Sequence, residues 1–534
     1  MARPEVTLCA IIANRAESNP DFPVLTIEGA GVRADETRTY RQLWDNGQRV
    51  AQLLIEMGIE PGDHFALVMA NHPQFIELMI GASIAGAVCV PIDPRTRGDK
   101  LSFMFNNARC KGVFAADYAL DQVCAVRGTV PCLEWVVSVD TDEVDCSAAD
   151  YRHVLDWASV LPRAVPNLES RSTAGSALQI IFTSGTTGDP KGIVMTHERL
   201  CVAMSLAPLM TGYRTDDCLY SGLSLTHGNA QVMTLGPALV MGLRCVLSRR
   251  FTKSRLFDIT RQYGCTSFTL LGGMTTAILA NAPRPDDGQN PVRLVVSAGM
   301  PAAIWNTFET RFEVDILEFY GCAEGGLTFR PVGTGPIGSI GKPVPSMQHR
   351  IVDEQGVDVA PGEPGELLFR AADGTPYKVE YFNNPAASQN KCRDGWLWTG
   401  DIVREDEEGW LYFLYRSGGG IRANGDFINP GFVEKVIVDC DTVDDVYVWG
   451  VEAASGAPGE KDVVASVVPA NPNAFDVQAI FRACRSKLEA NFVPTYIQVL
   501  KEIPKTASEK PQDRHLLEMF DPASDSVFIE VRHA

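Results

Sequence analysis

A chain of 534 residues with 45% hydrophobic content is long enough for three or four structural units, each with a core of its own. Its formal charge of −19 argues against nucleic acid or an anionic membrane surface as the main partner. It also makes any local gathering of Lys and Arg informative, because anionic ligands would otherwise be repelled.

In chain order, the apolar spacing predicts a helix over 7–19 and a strand over 24–27. Thr39 caps a helix in which Leu43, Val50, Leu53 and Leu54 recur at helical spacing up to Gly58. Strands are expected over 64–70, 87–92 and 112–116, with helices over 73–85 and 102–107 between them. This alternation predicts a parallel sheet with helices on its faces. From 124 to 176 the signal weakens into polar and proline-broken stretches.

The run Ile180-Ile181-Phe182-Thr183-Ser184-Gly185-Thr186-Thr187-Gly188-Asp189-Pro190-Lys191-Gly192 follows. A β-prone segment feeds a loop of hydroxyl residues, glycines and one lysine. Such a loop suits a polyphosphate: glycines let backbone N–H groups approach, hydroxyls add donors and Lys191 adds charge. It is not a Walker A loop, since Gly192 rather than Ser or Thr follows the lysine. The structural alternative is a surface hairpin with Gly and Thr at its tip.

Beyond it, helices are expected over 198–210, 232–241 and 254–263, and strands over 218–220, 244–247, 267–271 and 294–297. These form a second α/β layer over roughly 177–325. The longest uncharged run, 218–243, has a polar first half and Pro237 in its second, so it does not read as a membrane span. With no signal-peptide core near Arg3 and Glu5, the expectation is a cytoplasmic protein without membrane insertion. The 14 cysteines are scattered with no CxxC pair and no His/Cys cluster at metal-ligand spacing. They read as small apolar residues in a reducing compartment.

Between 333 and 370 short strands alternate with Gly/Pro turns, which predicts a small antiparallel barrel or sandwich. Gly333 to Gly338 matches GxGxxG, but no strand–turn–helix surrounds it, and it reads as a turn. Ser417-Gly418-Gly419-Gly420 is the best linker candidate, followed by a helix over 432–438, strands over 446–450 and 463–468 and a helix over 477–490. The expected class is thus α/β: a large N-terminal domain (1–417) of two stacked αβα layers (1–176 and 177–330) and a small β-barrel (331–417). A mobile α+β lid domain (418–534) completes it.

Two further constellations carry chemistry. Tyr320-Gly321-Cys322-Ala323-Glu324-Gly325-Gly326 offers an aromatic to stack on a base and a carboxylate suited to Mg²⁺ held against phosphate oxygens. Trp398-Thr399-Gly400-Asp401 places a carboxylate after a tight turn, where it can accept two ribose hydroxyls. Each alone would be a turn as readily as a site.

Their order decides the matter. Glycine loop, Tyr-Gly-x-x-Glu, Trp-x-Thr-Gly-Asp, Arg416 before the linker and a late Pro504-Lys505-Thr506 running to Lys510 resemble the AMP-forming adenylating enzymes over essentially the whole chain. That superfamily holds acyl-CoA synthetases, peptide-synthetase adenylation domains and luciferases. Within it the chain is most similar to bacterial acyl-CoA ligases of the carnitine/crotonobetaine branch.

The resemblance implies two steps in one site, acyl-AMP formation from ATP and then attack by the thiol of coenzyme A. It implies ATP, Mg²⁺ and coenzyme A as cofactors and a small carboxylic acid or its adenylate as substrate. Thr183, Ser184, Gly185, Thr186, Thr187, Gly188 and Lys191 would hold the phosphates, and Glu324 the metal. Ala298, Gly299, Met300, Glu318, Tyr320, Gly321, Cys322, Ala323 and Phe413 would frame AMP, with Asp401 and Arg416 on the ribose. Lys510 would bridge the carboxylate and α-phosphate. His227, Gly272, Gly273, Met274, Gly325 and Gly326 would line the acyl pocket, His227 having a structural reading of equal weight. Four glycines there suggest a roomy cavity, hence a bulky or cyclic acid. Gly418 matches the hinge about which the C-terminal domain rotates, and Asn424-Gly425 the passage for coenzyme A.

Several positions depart from the family pattern: Ala323 replaces a Thr, Gly418 the usual Asp or Lys, and Glu509 and Pro511 flank Lys510. They leave open a member that only thioesterifies a preformed acyl-adenylate from a partner ligase. A stand-alone adenylation enzyme loading a carrier protein and an inactive nucleotide-binding homologue are the other readings, and a homodimer is a further expectation.

Overall fold

Side-chain capping starts the first helices of the computed structural model. It describes residues 6–530 apart from 32, 142–150, 152, 163, 184–188, 280, 354, 417–420, 424–425, 429, 441, 456–459 and 505–512. Thr7 accepts from the Ala10 amide to open Leu8–Ser18. Thr39 and Gln42 form a reciprocal capping box on Tyr40–Glu56. That helix buries Leu43, Val50, Leu53 and Leu54 and packs closely on Pro73–Ala85. Two glycines permit the approach: a Cβ at Gly47 would stand 2.4 Å from the Ile80 side chain, and one at Gly81 2.2 Å from Val50.

Two large sheets follow from the predicted alternation. The first has seven strands in the order Val154–Asp156, Trp135–Val139, Cys110–Ala116, His64–Val68, Val88–Ile92, Ala177–Thr183 and Lys191–Thr196. All pairs are parallel except the last, a hairpin. The second has nine, in the order Lys342–Pro343, Gly325–Arg330, Asp315–Cys322, Leu294–Ala298, Ser267–Leu271, Cys218–Ser221, Arg244–Ser248, Leu25–Glu28 and Glu36–Arg38. It is parallel from Asp315–Cys322 through to Leu25–Glu28. The main core joins the two, taking Tyr40, Phe65 and Phe114 from one side and Leu219, Leu247 and Val296 from the other.

Sheet membership does not follow the division expected at residue 176. Ala177–Thr183 and its hairpin partner complete the first sheet, while Leu25–Glu28 crosses over to lie beside Arg244–Ser248 in the second. The weak stretch after 124 holds the strand Trp135–Val139, five residues buried throughout and too short for a period to be read. The helix expected over 232–241 opens as a π-helical segment, Ala230–Leu235, before the α-helix Gly236–Met241.

Where a small β-barrel is expected, Met347–Val352, Gly365–Ala371, Trp396–Glu405, Cys392–Arg393 and Leu411–Arg416 build a five-stranded antiparallel half-barrel sheet. The C-terminal domain has a hairpin, Ile421–Ala423 with Asp426–Ile428, then the helix Pro430–Val438. A four-stranded sheet of Val443–Glu452, Lys461–Pro469, Tyr496–Val499 and Val527–Ile529 follows, backed by Val477–Lys487. Among the described residues, no helix is long and apolar enough to cross a membrane.

Candidate active site

The C-terminal ends of parallel strands gather the candidate residues at one edge of the second sheet, where open α/β sheets hold ligands. Register places Ser297 beside Glu318 and Leu271 beside Ala298. The turn Gly299-Met300 and the helix Gly272–Leu279, which includes Met274, therefore start side by side. Gly299 adopts φ +98°, a backbone that favours glycine. Both amides of this turn donate to Glu318: Gly299 to one carboxylate oxygen and Met300 to the other, at 3.1 Å. Burial pushes the Glu318 carboxyl up to about 8, against the opposing pull of those amides, of Ser297 and of the charge of Arg422. Glu318 thus shapes the turn expected to frame AMP.

Two positions along the same strand, the Tyr320 hydroxyl donates to Asp401 Oδ2 at 2.6 Å, and Tyr320 stacks on Phe369 with centroids 6.5 Å apart. Burial and the neighbouring Asp401 hold the Tyr320 phenol protonated. Asp401 is buried and is the register partner of Arg416 across the small sheet, so the two ribose candidates occupy one register position on adjacent strands. Phe413 packs against the core of the small sheet. Gly321 and Cys322 lie at a register shift against Gly325–Arg330.

On the phosphate side, Thr183 and Lys191 close the hairpin opposite each other, and the Thr183 hydroxyl donates to the Lys191 carbonyl at 3.5 Å. Ser184, Gly185, Thr186, Thr187 and Gly188 lie outside the described residues. Residues 380–382 run along the outer strand of that hairpin: Val194 N–H donates to Glu380 O at 2.9 Å and Phe382 N–H to Gly192 O at 2.8 Å. Tyr381 is thereby set under the ammonium of Lys191, which sits 5.6 Å from its ring. The Tyr381 hydroxyl donates to Glu324 Oε1 at 2.7 Å. Arg199 donates to the Ala323 carbonyl at 2.6 Å, pinning the turn that carries Glu324. The result is a file Lys191–Tyr381–Glu324 beside the loop expected to hold phosphate.

Of the residues expected to line the acyl pocket, His227 is exposed in the turn before the π-helical segment and acts electrostatically on Asp93. Burial raises the Asp93 carboxyl, but its hydrogen bonds and pairing with Arg95, with a smaller part from His227, carry it below the ordinary value. Gly325 and Gly326 do not open the roomy cavity expected of them. A Cβ at Gly325 would fall 1.7 Å from the Tyr377 hydroxyl, and one at Gly326 2.4 Å from the Phe369 ring. The space that these two glycines leave is filled by aromatic side chains of the chain itself, not by a cavity.

The C-terminal hairpin approaches the same edge. Arg422 is near enough to Glu318 to act on its charge, while Asp426 Oδ2 lies 3.9 Å from Arg95 Nη2. Of the described residues of the hairpin, Arg422 thus lies toward the Gly299-Met300 turn and Asp426 toward the Asp93–Arg95–His227 group. Gly418, Asn424, Gly425 and Lys510 themselves lie outside the described residues. Tyr381, Arg199, Asp93, Arg95 and Arg422 were not legible as site residues in the sequence. Each stands alone in an unremarkable local pattern, and only pairing across elements brings it in.

The AMP-binding enzyme family model matches residues 12–375, and the model for the AMP-binding enzyme C-terminal domain matches 433–510. The chain is 27% identical to crotonobetaine/carnitine–CoA ligase of Proteus mirabilis, covering 90% of this chain and 92% of that one. It is 28% identical to steroid-22-oyl-CoA synthetase of Rhodococcus jostii, covering 87% and 84%. Among solved structures it resembles o-succinylbenzoate CoA synthetase from Bacillus subtilis, a double mutant bound with its product analogue, at TM-score 0.80, 21% identity and coverage of 95% and 98%. The same enzyme in complex with AMP gives TM-score 0.64 at 22% identity, covering 95% and 97%.

Proposed function

We propose, from the premise that the chain belongs to the AMP-binding enzyme family and is an AMP-forming acyl-CoA synthetase, that both half-reactions run at the edge where Glu318, Tyr320, Glu324 and the C-terminal hairpin meet. The observation that carries this reading is the placement of two unlike sets of groups on one strand and its turn. A nucleotide set (Glu318 with Gly299-Met300, and Tyr320 with Asp401) leads directly into a phosphate set (Glu324, Tyr381 and Lys191).

In the first step a carboxylate oxygen of the acid attacks the α-phosphorus of ATP, and the bond to pyrophosphate breaks. Little covalent work falls to the protein in such a transfer, so positioning and charge neutralisation carry it. Lys191 and the hydroxyls of the loop from Thr183 to Thr187 hold the leaving pyrophosphate, and Tyr320, Asp401 and Arg416 orient the nucleoside. Lys510 brings the two anions together. Glu324 suits Mg²⁺, which takes one or two carboxylates together with substrate phosphate oxygens; bound there, the ion would neutralise phosphate charge. In the second step the thiol sulfur of coenzyme A bonds to the acyl carbon, the acyl–phosphate bond breaks and AMP leaves.

The C-terminal domain (418–534) serves the two steps in different orientations about Gly418, with Asn424-Gly425 admitting the thiol arm. The orientation described here supports the second step. The hairpin faces the site, and the fold superposes better on the product-analogue complex of the Bacillus subtilis enzyme than on its AMP complex. Gly272 and Gly273 alone now speak for a bulky or cyclic acid, and His227 stands at the acyl end of the cleft.

A panel of linear, branched and cyclic carboxylic acids scored for AMP release with and without coenzyme A tests this reading. Pyrophosphate exchange with a good acid, lost in Lys510→Ala, is the expected result. Thioester formation from synthetic acyl-AMP without any exchange would overturn the two-step assignment.

A further inference from the structure

We propose that Lys100 is a positioning residue for thioester formation: it latches the C-terminal domain in the orientation that presents the hairpin to the site. The inference rests on the domain rotation proposed above.

Lys100 belongs to the helix Gly98–Asn107 of the large domain, just after the Asp93–Arg95 pair. Its ammonium meets three groups that all come from the C-terminal domain. Glu489 Oε1 lies 2.7 Å away, the Phe492 ring centroid 4.7 Å away and the Phe432 centroid 5.9 Å away. Thr96 donates to the same Glu489 oxygen at 3.3 Å. This is a socket and not a loose surface pair, since the Lys100 and Glu489 side chains are only 22% and 14% exposed. An ion pair partly withdrawn from water, backed by two aromatic faces, is stronger than the average exposed bridge. Lys435 with Asp99 at 3.3 Å is an exposed companion, expected to contribute little.

The position of the socket gives it a consequence. Phe432 lies in the first turn of the helix Pro430–Val438, which directly follows the hairpin. On the other side, Asp426 within the hairpin lies beside Arg95, five residues before Lys100. Fixing Glu489 and the two rings on Lys100 therefore fixes the hairpin against the site mouth. A rotation that withdraws the hairpin must pull Lys100 out of this socket. The contact is consequently formed in one orientation and absent in the other, which makes it a differential interaction able to shift the balance between them.

The test uses the full chain with one spin label on each domain, at exposed positions away from the interface. Distances are measured with 5′-AMP and coenzyme A present. Lys100→Ala is expected to broaden a single interdomain distance into two populations. The double exchange Lys100→Glu with Glu489→Lys should restore one. In parallel, Lys100→Ala should slow thioester formation on the order of tenfold, the factor that corresponds to losing about 1.4 kcal/mol, while pyrophosphate exchange stays within about twofold of wild type. An unchanged distance distribution, or equal slowing of both half-reactions, would overturn the proposal. Absence of exchange in the wild type would instead remove the two-step reading of the enzyme, and the distance measurement would still decide the role of Lys100.

Discussion

Replacing Glu318 by glutamine should uncouple stability from pH in a defined window. The folded Glu318 carboxyl titrates near 8 and the free side chain near 4.5. Between those values the folded protein keeps a proton that the unfolded chain has lost. The folded state then binds more protons, so stability falls as pH rises, by about 1.4 kcal/mol per unit while the window is open. Integrated between about pH 6 and 9, with the fall ending as the folded group itself ionises, the loss is about 2.5 kcal/mol. Glu318→Gln has no such proton. At low pH it matches the protonated acid closely, because each offers one good acceptor to the two amides of Gly299 and Met300. Urea unfolding of both proteins at fixed ionic strength, compared pH by pH, cancels every other titration. Wild-type stability relative to the variant should fall by about 2.5 kcal/mol between about pH 6 and 9 and then stay flat. A difference that is constant, or that grows with pH, would refute the assignment of Glu318 as a buried carboxyl strained by desolvation.

Tyr381→Phe removes the hydroxyl that donates to Glu324. A hydrogen bond to a charged group is worth about 1.5–3 kcal/mol, so pyrophosphate exchange should fall at least about tenfold with the melting temperature nearly unchanged. Gly326→Ala should destabilise by roughly 2–5 kcal/mol, because its φ of +80° and the Phe369 ring 2.4 Å from the new methyl both oppose it. A stable variant with altered acid preference would instead restore Gly326 to the acyl pocket. Thr39→Ala breaks the capping box of Tyr40–Glu56 and should cost about 1 kcal/mol in urea unfolding, leaving the half-reactions unaltered.

Much of the fold was legible because its determinants are local. Thr39 with Gln42 three residues on, Pro73 at a helix start and the alternation of apolar runs with helical spacing act within a few residues of chain. The order of the motifs from Thr183 to Lys510 was equally visible, and with it the family. Trp135–Val139 escaped because a short buried strand shows no alternation. The π-helical segment at Ala230–Leu235 escaped because its turn is set by packing and not by propensity.

The sequence by itself determined which residues can serve this chemistry: a carboxylate at 324, a cation at 191, a carboxylate at 401 and glycines where backbone must approach. Only the tertiary structure decided how they are held. Glu324 depends on Tyr381, 57 residues away in sequence, and Leu25–Glu28 pairs with a strand more than two hundred residues beyond it. Gly326 faces Phe369 where the sequence suggested open space, and Lys100 meets Glu489 across the domain boundary. Sheet pairing and interdomain contact depend on which surfaces meet after collapse, and no local pattern in the chain encodes that distance.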